Sequence, residues 1–357
     1  MIWVRVMHMV SEEQDVWIGL LAYDSERSVR QLRLYEQAKP SGTSLIAFAP
    51  GDIDWERQQV RGLTMQRHNR ISVVTRPLPH VVYNRIYLSG QAVAKRLDQM
   101  IGPDKVFNMH NQLDKWQYYT ALHQSDLARY VPRTARYNLT KLIMWLQRGH
   151  IVFLKPSTGL TGKGVYRLWT YGDEIYGSEH RLRPSLRWSV RDKSLVDRLR
   201  QLTEGKPCLI QEGIDGLKVR GSSFDIRAYV QKGRGGRWGV SCMISRIADR
   251  KYFNTSMTKR ITSAPRTLRV LFSNKTTINI VQEMTHVSLQ TAKIMEKTFG
   301  HLGEACVDYT LDQQGRLWII DVNGMPQKSI LGGHVGKQLV NRVYRMPLDY
   351  AVYLASR

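Results

Sequence analysis

Apolar residues over the first third of the chain fall into short runs, VWIGLLAY at 16–23, TSLIAFAP at 43–50 and ISVVTRPLPHVVYNRIYL at 71–88, each long enough for one or two strands. Between them SERSVRQLRLYEQA repeats its apolar positions at helical spacing, and LSGQAVAKRLDQMIG predicts a helix stopped by Gly102 and Pro103. Strand and helix alternate, which predicts a small α/β domain over residues 1–110.

From Asn111 the texture changes. NQLDKWQYYTALHQSDLARYVP predicts one helix with a proline stop, and KLIMWLQRG a second with a C-terminal glycine. HIVFLKP and VYRLWTY then predict two strands with a glycine-rich loop between them, followed by the basic stretch HRLRPSLRWSVRDK and the helix SLVDRLRQLTEG. PCLIQEGI, FDIRAYVQK and GRWGVSCMISRIA are three further strand candidates, the last two joined by GRGG. A long helical pattern, NIVQEMTHVSLQTAKIMEKTFG, precedes the strands EACVDYTLD and RLWIIDVNG, joined by QQG. These elements predict two α+β units, 111–212 and 213–357, the second built on an antiparallel sheet.

The bulk numbers narrow the class. A chain of 357 residues is expected to form two or three packed units, and no repeat or low-complexity tract is present. Cys208, Cys242 and Cys306 are distant from one another and form no CxxC pair, so they are expected to be buried thiols rather than a disulfide or zinc framework. MIWVRVMHMV is interrupted by Arg5 and followed by acidic residues, so it lacks the order of a signal peptide, and no apolar stretch approaches the ~20 residues that span a bilayer. A soluble, cytoplasmic protein is expected. The formal charge of +23 points to an anionic partner, and 13 Lys or Arg against three acids lie between Gly213 and Arg269. Trp188 within the basic stretch gives some aromatic interleaving, but no nucleic-acid recognition motif accompanies it, so nucleic acid is not the expected partner.

Two stretches carry candidate chemistry. In FLKPSTGLTGKGVYRL the glycines Gly159, Gly162 and Gly164 follow Lys155, but the spacing fits neither a Walker A loop nor GxGxxG, and the loop opens a strand rather than a helix. A glycine hairpin can still lay bare N–H groups against phosphate, with Lys155 adding a point charge; by itself the stretch fits a flexible hairpin with a solvated lysine equally. In EACVDYTLDQQGRLWIIDVNGMP, Asp321 and Asn323 share a strand face, and the short turn brings Asp308 alongside. Two carboxylates and an amide suit Mg²⁺ held together with substrate phosphates, while strand-end acids capping a turn are the alternative. Taken together, the two hairpins define a site for MgATP.

With these motifs, the chain resembles the ATP-grasp superfamily, and within it the YheC/YheD family of endospore coat-associated proteins, over residues 80–335. The likeness rests on DKW at 114–116, FLKPSTGLTGKGV, LIQEGID, SFDIRAYVQK, GEACVDYTLD and DVNGMPQKSI. It implies two α+β subdomains clamping ATP. Lys115 and Lys155 would reach the phosphates under a lid at Gly159 to Gly164. Backbone at Gln211, Glu212, Gly213 and Ile214 would read adenine, and the Glu212 side chain would take or neighbour its amino group. Asp225 would face the ribose or orient the lysines, Arg227 and Arg246 would face the phosphates and an acyl intermediate, and Asn254 the triphosphate. Asp308, Asp321 and Asn323 would hold magnesium. The chain departs from the family where Asp321 stands in place of a usual Glu, where NTSMTKR lacks the glycine pair that commonly follows the Asn254 position, and in a longer, more lysine-rich loop. The implied activity is ATP-dependent ligation of an anionic carboxylate to an amine or thiol, with a spore-coat or acidic-polymer partner; a non-catalytic protein of the spore surface is the alternative.

Overall fold

The computed structural model describes residues 15–88, 90–159 and 162–357. The apolar N-terminal decapeptide and the centre of the glycine loop lie outside the described residues. The strands of the described residues form three sheets. The first runs Ile53–Asp54, Gln59–Met65, Thr43–Phe48, Val16–Leu21, Val81–Asn84, Val106–Phe107, with Ile71–Pro77 beside Gln59–Met65. Its centre is parallel, and Val16–Leu21 pairs with a parallel neighbour on each side. Such a strand is covered on both faces, which is why VWIGLL is continuously apolar rather than alternating. The helix Ser25–Glu36, capped by Asp24 accepting from the Arg27 N–H, lies against this sheet.

The second sheet holds six strands between Thr134 and Glu212, in the order Leu186–Ser189, Glu174–Glu179, Tyr166–Tyr171, Val152–Pro156, Cys208–Glu212, Thr134–Arg136. The glycine loop is the hairpin connection between the antiparallel strands Val152–Pro156 and Tyr166–Tyr171. The third sheet places Ser222–Lys232 between Trp238–Ala248 and Glu304–Leu311, with Leu317–Asn323 beyond, all antiparallel. Phe224, Ile226, Ala228 and Val230 alternate into the largest core, beside Met284, Val287 and Met295 from the helix Asn274–Phe299. Asp225 and Arg227 therefore point to the opposite face.

One local outcome differs from the sequence expectation. The helix expected over 111–132 spans only Lys115–His123, followed by a turn at Ala128–Tyr130. Ser125 Oγ donates to the Leu122 carbonyl and accepts from the Leu127 N–H, a local pairing that competes with the helical ladder. The last helix, Lys337–Ala355, packs Tyr344, Leu348, Ala351 and Leu354 into the core of the first sheet, far from it in sequence. Asn108, at positive φ, ties the end of the first sheet to the third: its amide donates to Gly324 O at 2.8 Å and accepts from the Gly303 N–H at 2.8 Å. The three cysteines are free and buried. Among the described residues no helix is long and apolar enough to cross a membrane.

Candidate functional site

The inner face of the third sheet carries a row of charge set by strand register. Arg246 lies opposite Asp225, Arg227 opposite Asp308, and Asp308 opposite Asp321. Arg227 donates to both oxygens of Asp308 at 2.7 Å, and Arg246 donates to both oxygens of Asp225 at 2.7 Å and to Asp308 at 2.9 Å. Burial would raise the Asp308 carboxyl, but Arg227 and Arg246 outweigh it and hold it at about 2. Asp225 is raised by burial against the pull of Arg246. Of the two roles expected from sequence, facing the ribose or orienting the lysines, the second does not match its partners, which are Arg246 and Thr255.

Across from this row, Lys115 starts the helix Lys115–His123 and reaches Asp321, which also accepts from Tyr118 Oη at 2.8 Å. Burial would raise the Asp321 carboxyl, but Lys115, with Lys155 assisting, holds it below the usual carboxylate range. Lys155, at the end of its strand, donates to Gln211 Oε1 at 2.6 Å and to the Ile320 carbonyl at 3.3 Å. Burial lowers Lys155 to about 8, with Asp321 opposing and Lys115 assisting. An anion beside these lysines would relieve that desolvation.

Apart from the buried Tyr118, these groups line one cavity of about 1340 Å³, together with Gly159, Gly162, Asn254 and Asn323. Gly162 and Gly164 hold φ of 73° and 74°, and the Gly164 N–H donates to Glu179 at 2.9 Å. Asn254 caps the turn Thr255–Met257 and contacts His180 Nδ1 at 3.2 Å. Gln211 lies inside a strand, its backbone committed to the sheet. The N–H groups of Glu212 and Gly213 are likewise bound, to the Arg133 and Ile151 carbonyls. Ile214 is the first residue of that stretch whose N–H has no partner among the described residues. Phe153 and Phe253, with ring centroids 5.6 Å apart, give the cavity an apolar wall that no sequence signal indicated.

The basic bias of residues 213–269 enters the site less than its size suggests, because only Arg227 and Arg246 of that region line the cavity. The remaining cations there come from elsewhere, including Arg30, Arg85 and Lys328. Lys328 lies in the DVNGMPQKSI stretch, whereas no short motif marks Arg30 or Arg85, and the three converge only through the packing of the first sheet and the segment after Asn323.

Among the described residues no group of three or more His, Cys, Asp or Glu is placed to hold a metal ion. The expected set is two carboxylates and an amide. It fits a hard divalent cation: Asp308 and Asp321 are both held ionised, Asp321 is 31% exposed toward the cavity, and Asn323 donates its amide to Asp321 at 3.1 Å while its oxygen keeps no partner.

Comparison with known proteins places this geometry. The chain is 25% identical over 341 residues to the endospore coat-associated protein YheD of Bacillus subtilis (strain 168), covering 91% of this chain and 73% of the relative. Its fold is similar to that of the VanG D-Ala:D-Ser ligase from Enterococcus faecalis, with a TM-score of 0.54 and 11% identity over 96% of this chain and 100% of that one. It is also similar to the ATP-grasp ligase PsnB complexed with minimal precursor, Mg and ADP, with a TM-score of 0.52 and 15% identity over 95% of this chain and 98% of that one. At these identities the two structures establish the fold, which is ATP-grasp. Residues 103–354 match the family described as YheC/D like ATP-grasp, and the chain belongs to that family.

Proposed function

We propose that the protein binds MgATP in this cavity and acts as an ATP-dependent ligase that joins a carboxylate to an amine or thiol through an acyl phosphate. The observation that carries it is the convergence of Lys115, Lys155, Arg227 and Arg246 with Asp308, Asp321 and Asn323 around one cavity. At about 1340 Å³ it exceeds the ~300–1,000 Å³ typical for a single small ligand, leaving room for nucleotide and a second substrate.

In this scheme the Ile214 N–H and the wall of Phe153 and Phe253 hold the base, and Lys115 and Lys155 hold the phosphates. A substrate carboxylate oxygen bonds to the γ-phosphorus as the bond to the bridging oxygen breaks, releasing ADP. The nucleophile then bonds to the acyl carbon, inorganic phosphate leaves, and the nucleophile's proton passes to solvent. Asp308, Asp321 and Asn323 are the residues that would hold magnesium, whose contribution when bound is neutralisation of phosphate charge. Arg227 and Arg246 supply fixed positive charge at the same end, and positioning does most of the work. The name of the relative YheD is the ground for a spore-coat connection.

One observation favours a second reading, nucleotide binding without turnover: Asp308 and Asp321 are each already paired with protein cations. Incubating purified protein with MgATP and a panel of carboxylic acids, and measuring ADP, decides between the two. Carboxylate-dependent ADP release that disappears in Arg227→Ala supports the ligase; ATP binding without it supports the second reading. If a non-hydrolysable ATP analogue does not bind at about 1 mM, the upper end of ordinary substrate affinities, both fall.

A further inference from the structure

Past the phosphate-binding residues the cavity continues into a bay between the helix Ser25–Glu36 and the segment from Met325 to Ile330. Its deep wall carries an unbalanced charge. Arg85 and Lys328 are both buried against one carboxylate, Glu304, which is itself fully buried. Lys328 donates to Glu304 at 2.6 Å, to Tyr35 Oη at 3.0 Å and to Tyr83 Oη at 3.1 Å, so its three N–H groups are spent. Arg85 directs Nη1 to Tyr83 and Glu304, while its Nε is buried without a partner. One buried carboxylate is shared between two buried cationic groups, and burial pulls Lys328 down to about 7, so an anion entering the bay would pair with Arg85 and favour the protonated form of Lys328.

The rim adds two more unspent groups. Gln31 Oε1 is buried with no hydrogen-bond partner, and Arg30, one residue earlier, has no ion-pair partner among the described residues. No acidic side chain lines this end of the cavity; the acids that do line it, Glu212, Asp225, Asp308 and Asp321, belong to the nucleotide end. The bay therefore offers cationic donors for more than one anionic group, and beside them a carbonyl oxygen that needs an N–H. Phosphate polymers supply the anions but no N–H. A chain of aspartyl or glutamyl residues supplies both.

Building on the ligase reading, we propose that this bay is the acceptor site for the carboxylate substrate and that the substrate is an acidic peptide segment. One side-chain or terminal carboxylate points to the nucleotide. Arg30 and Arg85 hold the others, and Gln31 accepts from a peptide N–H. Lys328, its N–H groups already used, acts through the charge it holds when protonated beside the bound anion rather than by contact.

The test uses the whole chain and three probes, triglutamate, trialanine and tripolyphosphate, titrated calorimetrically with and without a non-hydrolysable ATP analogue and Mg²⁺. Triglutamate is expected to bind in both conditions and trialanine in neither. Arg30→Ala and Gln31→Ala, both lining the bay, are each expected to weaken triglutamate about tenfold, the effect of one lost hydrogen bond to a charged or buried group, while leaving analogue affinity unchanged. The proposal is overturned if the two variants bind triglutamate like wild type, if trialanine binds equally, if the analogue displaces triglutamate, or if tripolyphosphate binds as tightly with the same dependence on Arg30. If the analogue fails to bind, the ligase reading falls, and the peptide titrations still decide the bay. If the analogue binds and triglutamate does not, only the bay proposal falls.

Discussion

Lys155→Met offers the sharpest check on the nucleotide site, because the substitution keeps much of the apolar stem and removes only the ammonium. In the free protein that ammonium carries a desolvation burden, seen in its lowering to about 8. Its removal also leaves Gln211 Oε1 without its 2.6 Å donor, although Gln211 keeps its bond to Thr134 at 3.0 Å. These effects oppose each other, so the free variant is expected to melt close to wild type. With nucleotide the balance changes. One charge-assisted hydrogen bond to phosphate is lost, about 2 kcal/mol or roughly 30-fold in affinity. At analogue concentrations 100 times the wild-type Kd, binding stabilises wild type by about 2.7 kcal/mol, and a 30-fold weaker variant by only about 0.9 kcal/mol. Thermal melts with and without analogue, paired with calorimetric titration, read both quantities. An unchanged Kd in Lys155→Met would refute the assignment of Lys155 to the phosphates.

Other outcomes follow from the same geometry. Asp308→Asn removes the carboxylate that pairs the buried Arg227, whereas Arg246 keeps Asp225; chemical denaturation is expected to reveal a loss of about 3–5 kcal/mol. Asp321→Asn is expected to lose less, since Asp321 is 31% exposed. Gly164→Ala forces a side chain onto a residue at φ 74° and sets its Cβ 3.1 Å from Pro156 Cγ; a stability loss of about 1–2 kcal/mol is expected in a thermal melt. Lys328 gives a pH signature. Burial pulls it down from 10.5 to about 7, with Glu304 opposing and Arg85 assisting, while the unfolded chain keeps its proton up to about 10.5. Above pH 7 the unfolded state therefore binds more protons than the folded one, and this lysine makes stability rise with pH from about 7 toward 10. Melts between pH 6 and 9 should record that rise, and Lys328→Met should flatten it.

By itself the sequence determined the elements, because their signals are local. Apolar runs bounded by glycine and proline marked the strands, helical spacing marked Ser25–Glu36 and Asn274–Phe299 from Asn279 onward, and the GRGG and QQG turns marked two antiparallel pairs. Alternation in FDIRAYVQK put Asp225 and Arg227 on one face, and period two put Asp321 beside Asn323. The motifs also sufficed for the family.

Register and long-range packing belonged to the tertiary structure. The QQG turn already set Asp308 beside Asp321, but that Arg227 meets Asp308 and that Arg246 reaches Asp308 as well as Asp225 depends on Ser222–Lys232 pairing with Glu304–Leu311, strands far apart in the chain whose pairing no single stretch encodes. It also turned most of the basic bias of residues 213–269 away from the cavity. The bay of Arg30, Gln31, Arg85 and Lys328 draws on three distant parts of the chain. Its unpaired groups exist only because folding withdraws them from water, which is why a linear pattern of charges could not reveal them.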